Sequence, residues 1–265
     1  MNFIKRFAKN NSHSLLVKPF AGFGRSINRF YENRNHHPET NGEVNLLKKI
    51  SKTYPKIIFD VGANVGDYAQ WARICCPNAK IYSFEPVNGT FKILQKNILE
   101  RKTKNVVAIN KGFYHVDKEI LINIYRGHEH SSIHDLKGDS YSVVRQDTIE
   151  VINGDNLVEE LQLSTIDFLK LDIEGAEMDA LLGFNNSFKE KKIRAVQFEY
   201  GYINITSKKL LCDYYDFFSS HGYRVGKIYP KGIEFRDYAF KHEDFIGPNF
   251  VAIHSSDMEL YKLLS

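Results

Sequence analysis

Short runs of bulky apolar residues take turns with amphipathic stretches through the middle of this chain. Ile57-Ile58-Phe59, set off by Pro55, is a compact β-favouring run and predicts a buried strand. Tyr68-Ala69-Gln70-Trp71-Ala72-Arg73 then reads as a helix, with Asp67 placed where a helix start wants an oxygen acceptor. The alternation continues with a strand over 80–85, a helix over 88–99 carrying Phe91, Leu94 and Ile98, and a strand over 105–110. Upstream, 43–52 has helical spacing at Val44, Leu47 and Ile50. Such alternation predicts an α/β domain with a parallel sheet and right-handed crossovers. Residues 111–155 break the pattern. Short alternating segments at 119–125, 142–144 and 148–151 lie between polar loops, a β insertion before the fourth strand. The α/β pattern resumes with a helix over 155–161, strands over 166–172 and 193–199, a helix over 178–182 between them, and an aromatic-rich helix over 208–220. The last strands, 223–229 and 248–254, have no crossover helix between them and are expected to pair antiparallel.

Composition adds only a little to this picture. At 265 residues, 43% hydrophobic and 26% charged, the chain fits one globular domain, read here as 43–265, behind a leader over 1–42. No apolar run approaches a membrane span, and the start lacks the apolar core of a signal peptide. Three cysteines, Cys75 and Cys76 adjacent, give neither a disulfide framework nor a zinc spacing, and read as reduced thiols of a cytoplasmic protein. The leader stands out by charge. Lys5, Arg6, Lys9, Lys18, Arg25 and Arg29 all precede the first acid, Glu32, and Phe3, Ile4, Phe7, Leu15, Leu16 and Val17 are interleaved. That is either a first helix packed on the domain or a basic amphipathic arm making peripheral contact with an anionic membrane. A net charge of +4, with no basic stripe beyond the leader, disfavours nucleic acid as the partner.

The chemistry starts at the first strand. Gly62 and Gly66 allow a tight turn that brings backbone N–H groups near a ligand at the carboxyl end of the strand. A pyrophosphate loop would need a glycine between them, where Ala63 and Asn64 stand. Asp60, ahead of the turn, repels phosphate and attracts an ammonium group. Glu85, before Pro86 at the end of the second strand, can accept hydrogen bonds from both hydroxyls of a ribose. Together they describe S-adenosylmethionine, with an NAD-binding domain or a ligand-free core as the alternative.

Three blocks then stand in order: Phe59 to Asp67, Phe84-Glu85-Pro86, and Phe168-Leu169-Lys170-Leu171-Asp172-Ile173-Glu174-Gly175-Ala176-Glu177. They resemble the FkbM family of S-adenosylmethionine-dependent methyltransferases over roughly residues 55 to 255, with echoes at Ser131-Ser132, Gln197-Phe198-Glu199 and Pro248 to Ala252. The resemblance implies a Rossmann-like class I methyltransferase fold: a seven-stranded, mostly parallel sheet whose last strand is antiparallel. It implies O-methyl transfer to a hydroxyl of a sugar, glycan or other small molecule. By position, Asp60, Gly62, Ala63, Asn64, Gly66 and Asp67 would surround the methionine part of the cofactor. Glu85 and Pro86 would hold the ribose, and Asn110 to Phe113, with Gly112, would approach the adenine.

A sugar hydroxyl is a poor nucleophile, so a base or a metal is expected. Asp172 at the end of the fourth strand is best placed, with Glu199 at the end of the fifth. Two such carboxylates could hold Mg²⁺. Tyr200 after Glu199, and Gly175 where catechol-type enzymes place a lysine, depart from the metal-dependent pattern. His128, His130 and His134 have no standard zinc spacing, but His130 or His134 could serve as base. One of Glu174 and Glu177 is expected to touch substrate, with Glu177 also satisfying helix-start N–H groups. Tyr200-Gly201-Tyr202 could stack on a sugar ring. The block after the fourth strand lacks the Asn/Asp-Pro-Pro-aromatic run that grips a flipped base, leaving nucleic-acid methylation or a non-catalytic glycan-binding scaffold as alternatives.

Overall fold

A computed structural model of the chain describes residues 3–126, 131–136 and 142–265. It begins with helices α1 (Phe3–Asn10), α2 (Lys18–Tyr31), α3 (Pro38–Asn41) and α4 (Glu43–Ser51). The expected alternation follows as β1 (Ile57–Val61), α5 (Asp67–Cys75), β2 (Lys80–Phe84), α6 (Asn88–Glu100) and β3 (Val106–Ile109). The insertion supplies β4 (Gly112–Tyr114), β5 (Lys118–Tyr125), β6 (Ser131–Ser132) and β7 (Val143–Asn153). Then come α7 (Gly154–Glu160), β8 (Phe168–Leu171), α8 (Glu177–Gly183), α9 (Asn185–Lys189), β9 (Ala195–Glu199), α10 (Ile203–Ser207) and α11 (Leu211–Ser220). Strands β10 (Tyr223–Tyr229), β11 (Gly232–Phe235) and β12 (Asn249–His254) and helix α12 (Met258–Leu264) complete the chain.

The main sheet has the order β11-β10-β12-β9-β8-β1-β2-β3. Strands β3, β2, β1, β8 and β9 run parallel, while β12 lies antiparallel to β10, as the sequence pattern anticipates, and to β9, as the family resemblance implies. The count differs: β11 adds an eighth strand, folding back on β10 across Pro230-Lys231. Its four residues, Gly-Ile-Glu-Phe, are too few and too mixed to show a period. Along β1 the side chains alternate between two cores. Phe59 and Val61 join Phe84, Leu169, Met178, Phe198 and Phe218 on one face, and Ile58 joins Leu47, Ile81, Phe168 and Leu260 on the other. Helices therefore cover both faces, and the carboxyl ends of β1, β2, β8 and β9 share one open edge.

The insertion forms its own four-stranded sheet, β4-β7-β5-β6. The segments 142–144 and 148–151, read as separate, are one eleven-residue strand, β7, paired antiparallel with β5. Its first residues are exposed, so Arg145, Gln146 and Asp147 cost nothing there and hide the continuity. Ser132 Oγ donates to Glu174 O at 2.7 Å, fastening this sheet over the loop that leaves β8.

Candidate active site

The turn after β1 folds as its glycines require. Gly62 has φ +81°, and a Cβ there would lie 1.8 Å from Asp172 O, so β1 and β8 close together only over a hydrogen atom. Asn64 takes φ +47° and sends its N–H to Glu85 Oε2 at 3.1 Å, while Val87 N–H donates to the other oxygen at 2.9 Å. Both oxygens of Glu85 are thus aimed by backbone, each with a lone pair to spare for a ligand hydroxyl. Burial pushes the Glu85 carboxyl up to about 7, against the pull of those two N–H groups. Asn110 Nδ2 donates to the carbonyls of Glu85 and Pro86 and holds the β2 terminus in place. Gly62, Asn64, Glu85, Pro86 and Asp172 line a cleft here, with Ile122 and Ser131 of the insertion above it.

A second cavity, about 490 Å³, opens on the other side of Asp172. Asp172 and Glu174 belong to both walls. Arg34, Tyr202, Glu199 and Asn249 line it, and Lys170 and Tyr68 are at its base. The Arg34 guanidinium lies 4.5 Å over the Tyr202 ring and donates to its hydroxyl at 3.2 Å. A polar lattice holds the base rigid: Gln197 Nε2 donates to Glu43 Oε2 at 2.8 Å, Asn41 and Asn249 donate to Glu43 Oε1, and Tyr68 OH donates to Gln197 Oε1.

Charge is concentrated where the two spaces meet. Lys170 Nζ lies 2.8 Å from Asp172 Oδ2, 3.9 Å from Asp60 Oδ1 and 4.5 Å from the centre of the Tyr68 ring. Burial works against the ammonium, but Asp172, Asp60 and Glu43 outweigh it and hold Lys170 charged, above its ordinary value. Asp172, its side chain 45% exposed to the cavity, is raised by burial yet ends below the usual carboxylate value because Lys170 sits beside it. Glu199 goes the other way. Burial, and then the negative charge of Asp172, Glu174, Glu177 and Glu43, push it well above the usual range. The two carboxyls are thus driven in opposite directions, Asp172 toward its ionised form and Glu199 toward its protonated form. These residues do not fit Mg²⁺. Lys170 already occupies an Asp172 oxygen, burial and neighbouring carboxylates push Glu199 toward its protonated form, and among the described residues no three His, Cys, Asp or Glu side chains are grouped to hold a metal ion.

The remaining expected residues are dispersed. Asp60 is fully buried behind the cavities, with neither oxygen hydrogen-bonded and its carboxyl pushed by burial to about 6, and it lines neither space. Ala63 and Gly66 build the turn, and Asp67 faces outward in an ion pair with Arg101 at 2.9 Å. Phe113 belongs to the aromatic core, 4.7 Å from Phe84 and 4.9 Å from Phe184, and Gly112 packs against Val151 and Pro86. His134 Nε2 lies 3.1 Å from Gly175 O and lines neither cavity, and His130 lies outside the described residues. Glu177 is wholly buried, accepting from Ile173 and Gly175 N–H groups, with burial pushing it up to about 8, so Glu174 is the member of that pair on the cavity wall. Tyr200 is buried and bonded to Glu243, which leaves Tyr202 facing the cavity. Arg34 and the Glu43 lattice carried no motif, and Lys170, though inside the block from Phe168 to Glu177, had no role legible there. Only the short echoes at Gln197 and Asn249 hinted at that lattice.

A sheet of this order, with a glycine turn after β1, a carboxylate after β2 and a fastened loop after β8, defines a class I methyltransferase fold. The profile of the Methyltransferase FkbM domain matches residues 60–225, more than half of the chain, and the chain belongs to the FkbM methyltransferase family. Two relatives bear on function. The hexuronic acid methyltransferase AglP of Haloferax volcanii is 29% identical over 145 residues, 55% of this chain and 56% of its own length. Methyltransferase 1 of Beauveria bassiana is 29% identical over 176 residues, 57% of this chain and 71% of its own. The match thus spans little more than half of the first relative. The crystal structure of an FkbM methyltransferase from Methylobacillus flagellatus shares the fold, with a TM-score of 0.50 and 16% identity over 76% of this chain and 44% of that one.

Proposed function

We propose that the protein transfers a methyl group from S-adenosylmethionine to a hydroxyl of a sugar or glycan. The observation that carries this reading is the shared wall: Asp172 and Glu174 stand between a cleft suited to a nucleoside and a larger polar cavity suited to an acceptor. Glu85 would accept the ribose hydroxyls, and the 62–66 turn would pass the methionine part. When bound, the cofactor supplies an electrophilic methyl on a sulfonium. Transfer of that methyl to an acceptor hydroxyl would require this chain to place the oxygen and take up its proton.

Asp172, held toward its ionised form and fixed by Lys170, would accept that proton and orient the acceptor oxygen. Protonated Glu199 would donate to a neighbouring acceptor oxygen instead. Arg34 at the cavity wall favours a sugar that bears a carboxylate, in keeping with the relative named for hexuronic acid. Calorimetric titration with S-adenosylmethionine and S-adenosylhomocysteine, followed by a screen of neutral and uronic sugars, tests the reading. Micromolar cofactor binding and turnover of an acidic sugar are expected, with Asp172→Asn lowering kcat by about 10²–10⁴. A folded protein that binds neither nucleoside sinks the proposal.

A further inference from the structure

Helix α2 is amphipathic, and its apolar side is turned outward. At 100° per residue, Phe20, Phe23, Ile27, Phe30 and Tyr31 fall within an arc of about 100°, and Lys18, Arg25 and Arg29 within an opposite arc of about 40°. On a helix resting against its own domain the apolar arc would face inward. Here no residue of α2 is buried, and Phe20, Phe23 and Phe30 are 76%, 68% and 79% exposed. From the basic arc only Arg29, in the last turn, reaches the domain among the described residues, its Nη2 placed 3.5 Å from Tyr202 OH, while Lys18 and Arg25 are exposed. Leu15, Leu16 and Phe7 ahead of α2 are exposed too. A run of large apolar side chains of this extent needs a cover.

We propose that α2, with the segment leading into it, lies flat on an anionic lipid surface. The charge pattern selects that occupant. Six cations precede the first acid, and lysine and arginine stems on the upper side of an interfacial helix reach down to headgroup phosphates while the aromatic side enters the acyl boundary. A hydrophobic protein partner would not require a purely cationic flank. Among the described residues no helix is long and apolar enough to cross a membrane, so the contact is peripheral.

The far end of α2 is anchored to the domain. Glu32 pairs with Lys227 at 2.8 Å, and buried Asn33 donates to the carbonyls of Asn41 and Ile228. Arg34 and His36, next along the chain, line the larger cavity. Docking α2 would therefore hold that cavity close to the lipid surface. On the methyl-transfer reading proposed above, the acceptor would be a glycan held at the membrane; the docking itself does not depend on that reading.

Flotation of the full chain with liposomes tests the docking. Binding to vesicles containing about 30% anionic phospholipid is expected, with little to neutral phosphatidylcholine and a loss of several-fold in about 0.5 M NaCl. The double substitution Phe20→Asp/Phe23→Asp should cut the bound fraction by about tenfold or more, and Lys18→Glu/Arg25→Glu should remove the preference for anionic vesicles. Neither pair is packed in the domain, so melting temperature and S-adenosylhomocysteine affinity should stay at the unsubstituted values and separate this test from the cofactor test. Equal flotation of unsubstituted and Asp-substituted chains overturns the proposal. So does absence of flotation, including the case in which light scattering shows α2 covered by a second copy of the chain.

Discussion

A methyl group added at Gly62 would press on the carbonyl oxygen of Asp172 at 1.8 Å, and the residue's φ of +81° disfavours any L side chain even without that clash. Gly62→Ala should therefore destabilise the protein by about 2–4 kcal/mol, read as a fall in melting temperature, and should remove cofactor binding. An unchanged melting temperature would mean that β8 yields without cost. Glu85 makes a different kind of prediction. Its carboxyl titrates at about 7, and ribose hydroxyls donate best to the ionised form, so S-adenosylmethionine affinity should weaken as pH falls below 7. The loss should approach about tenfold per pH unit by calorimetry, and Glu85→Gln should bind weakly with a flat profile. Both residues were legible in sequence because a glycine turn and a strand-end carboxylate act locally. The depth of Asp60 was not, since only β8 arriving beside β1 sets Lys170 against it.

Among the elements, the connection from α2 to α3 does most to shape the acceptor side, and no motif marked it. Asn33, at φ +57°, ties that connection to both Asn41 O and Ile228 O, and Arg34 follows directly. Asn33→Ala should strand two buried carbonyls and cost about 1–3 kcal/mol, and it should raise the acceptor KM while leaving cofactor affinity unchanged. A variant with both constants intact would show that Arg34 is held by Tyr202 alone. The strands and long helices were readable because burial on a sheet or along a stripe leaves a period of 2 or 3.6. Helices α9 and α10 and strand β11 are four or five residues long, too short for a period to emerge. Strand β7 was split because half of it faces solvent.

At the scale of the molecule, buried carboxyls bias stability toward acid. Asp60, Glu85 and Glu177 are raised to about 6, 7 and 8 from ordinary values of 3.8 and 4.5, chiefly by burial. The folded state holds these protons more tightly than the unfolded chain. Their contribution is therefore full below about pH 4 and is lost as pH rises through 6 to 8. Carboxyls lowered on folding, such as Glu32, Glu243 and Asp257, have already delivered their stability by pH 5, whereas His242 and His254, lowered by burial from 6.5, oppose the trend at the acid end of the interval only. The cofactor-free protein should melt several degrees lower at pH 8.5 than at pH 5.5, and Glu177→Gln should flatten the slope. A melting temperature that rises across this interval would show that other groups dominate.

The sequence by itself determined the alternating α/β plan, the antiparallel pairing of the last two long strands, the inserted β segment and the glycine turn with its carboxylate neighbour. All of these depend on contacts close along the chain or on a periodic pattern of burial. Only the tertiary structure decided which charges meet. It set Lys170 between Asp60 and Asp172, pushed Glu199 up while holding Asp172 down, brought Arg34 and Tyr202 together from 168 residues apart, and turned the apolar side of α2 outward. The physical reason is that desolvation and ion pairing depend on distance in space, and a sequence records only distance along the chain.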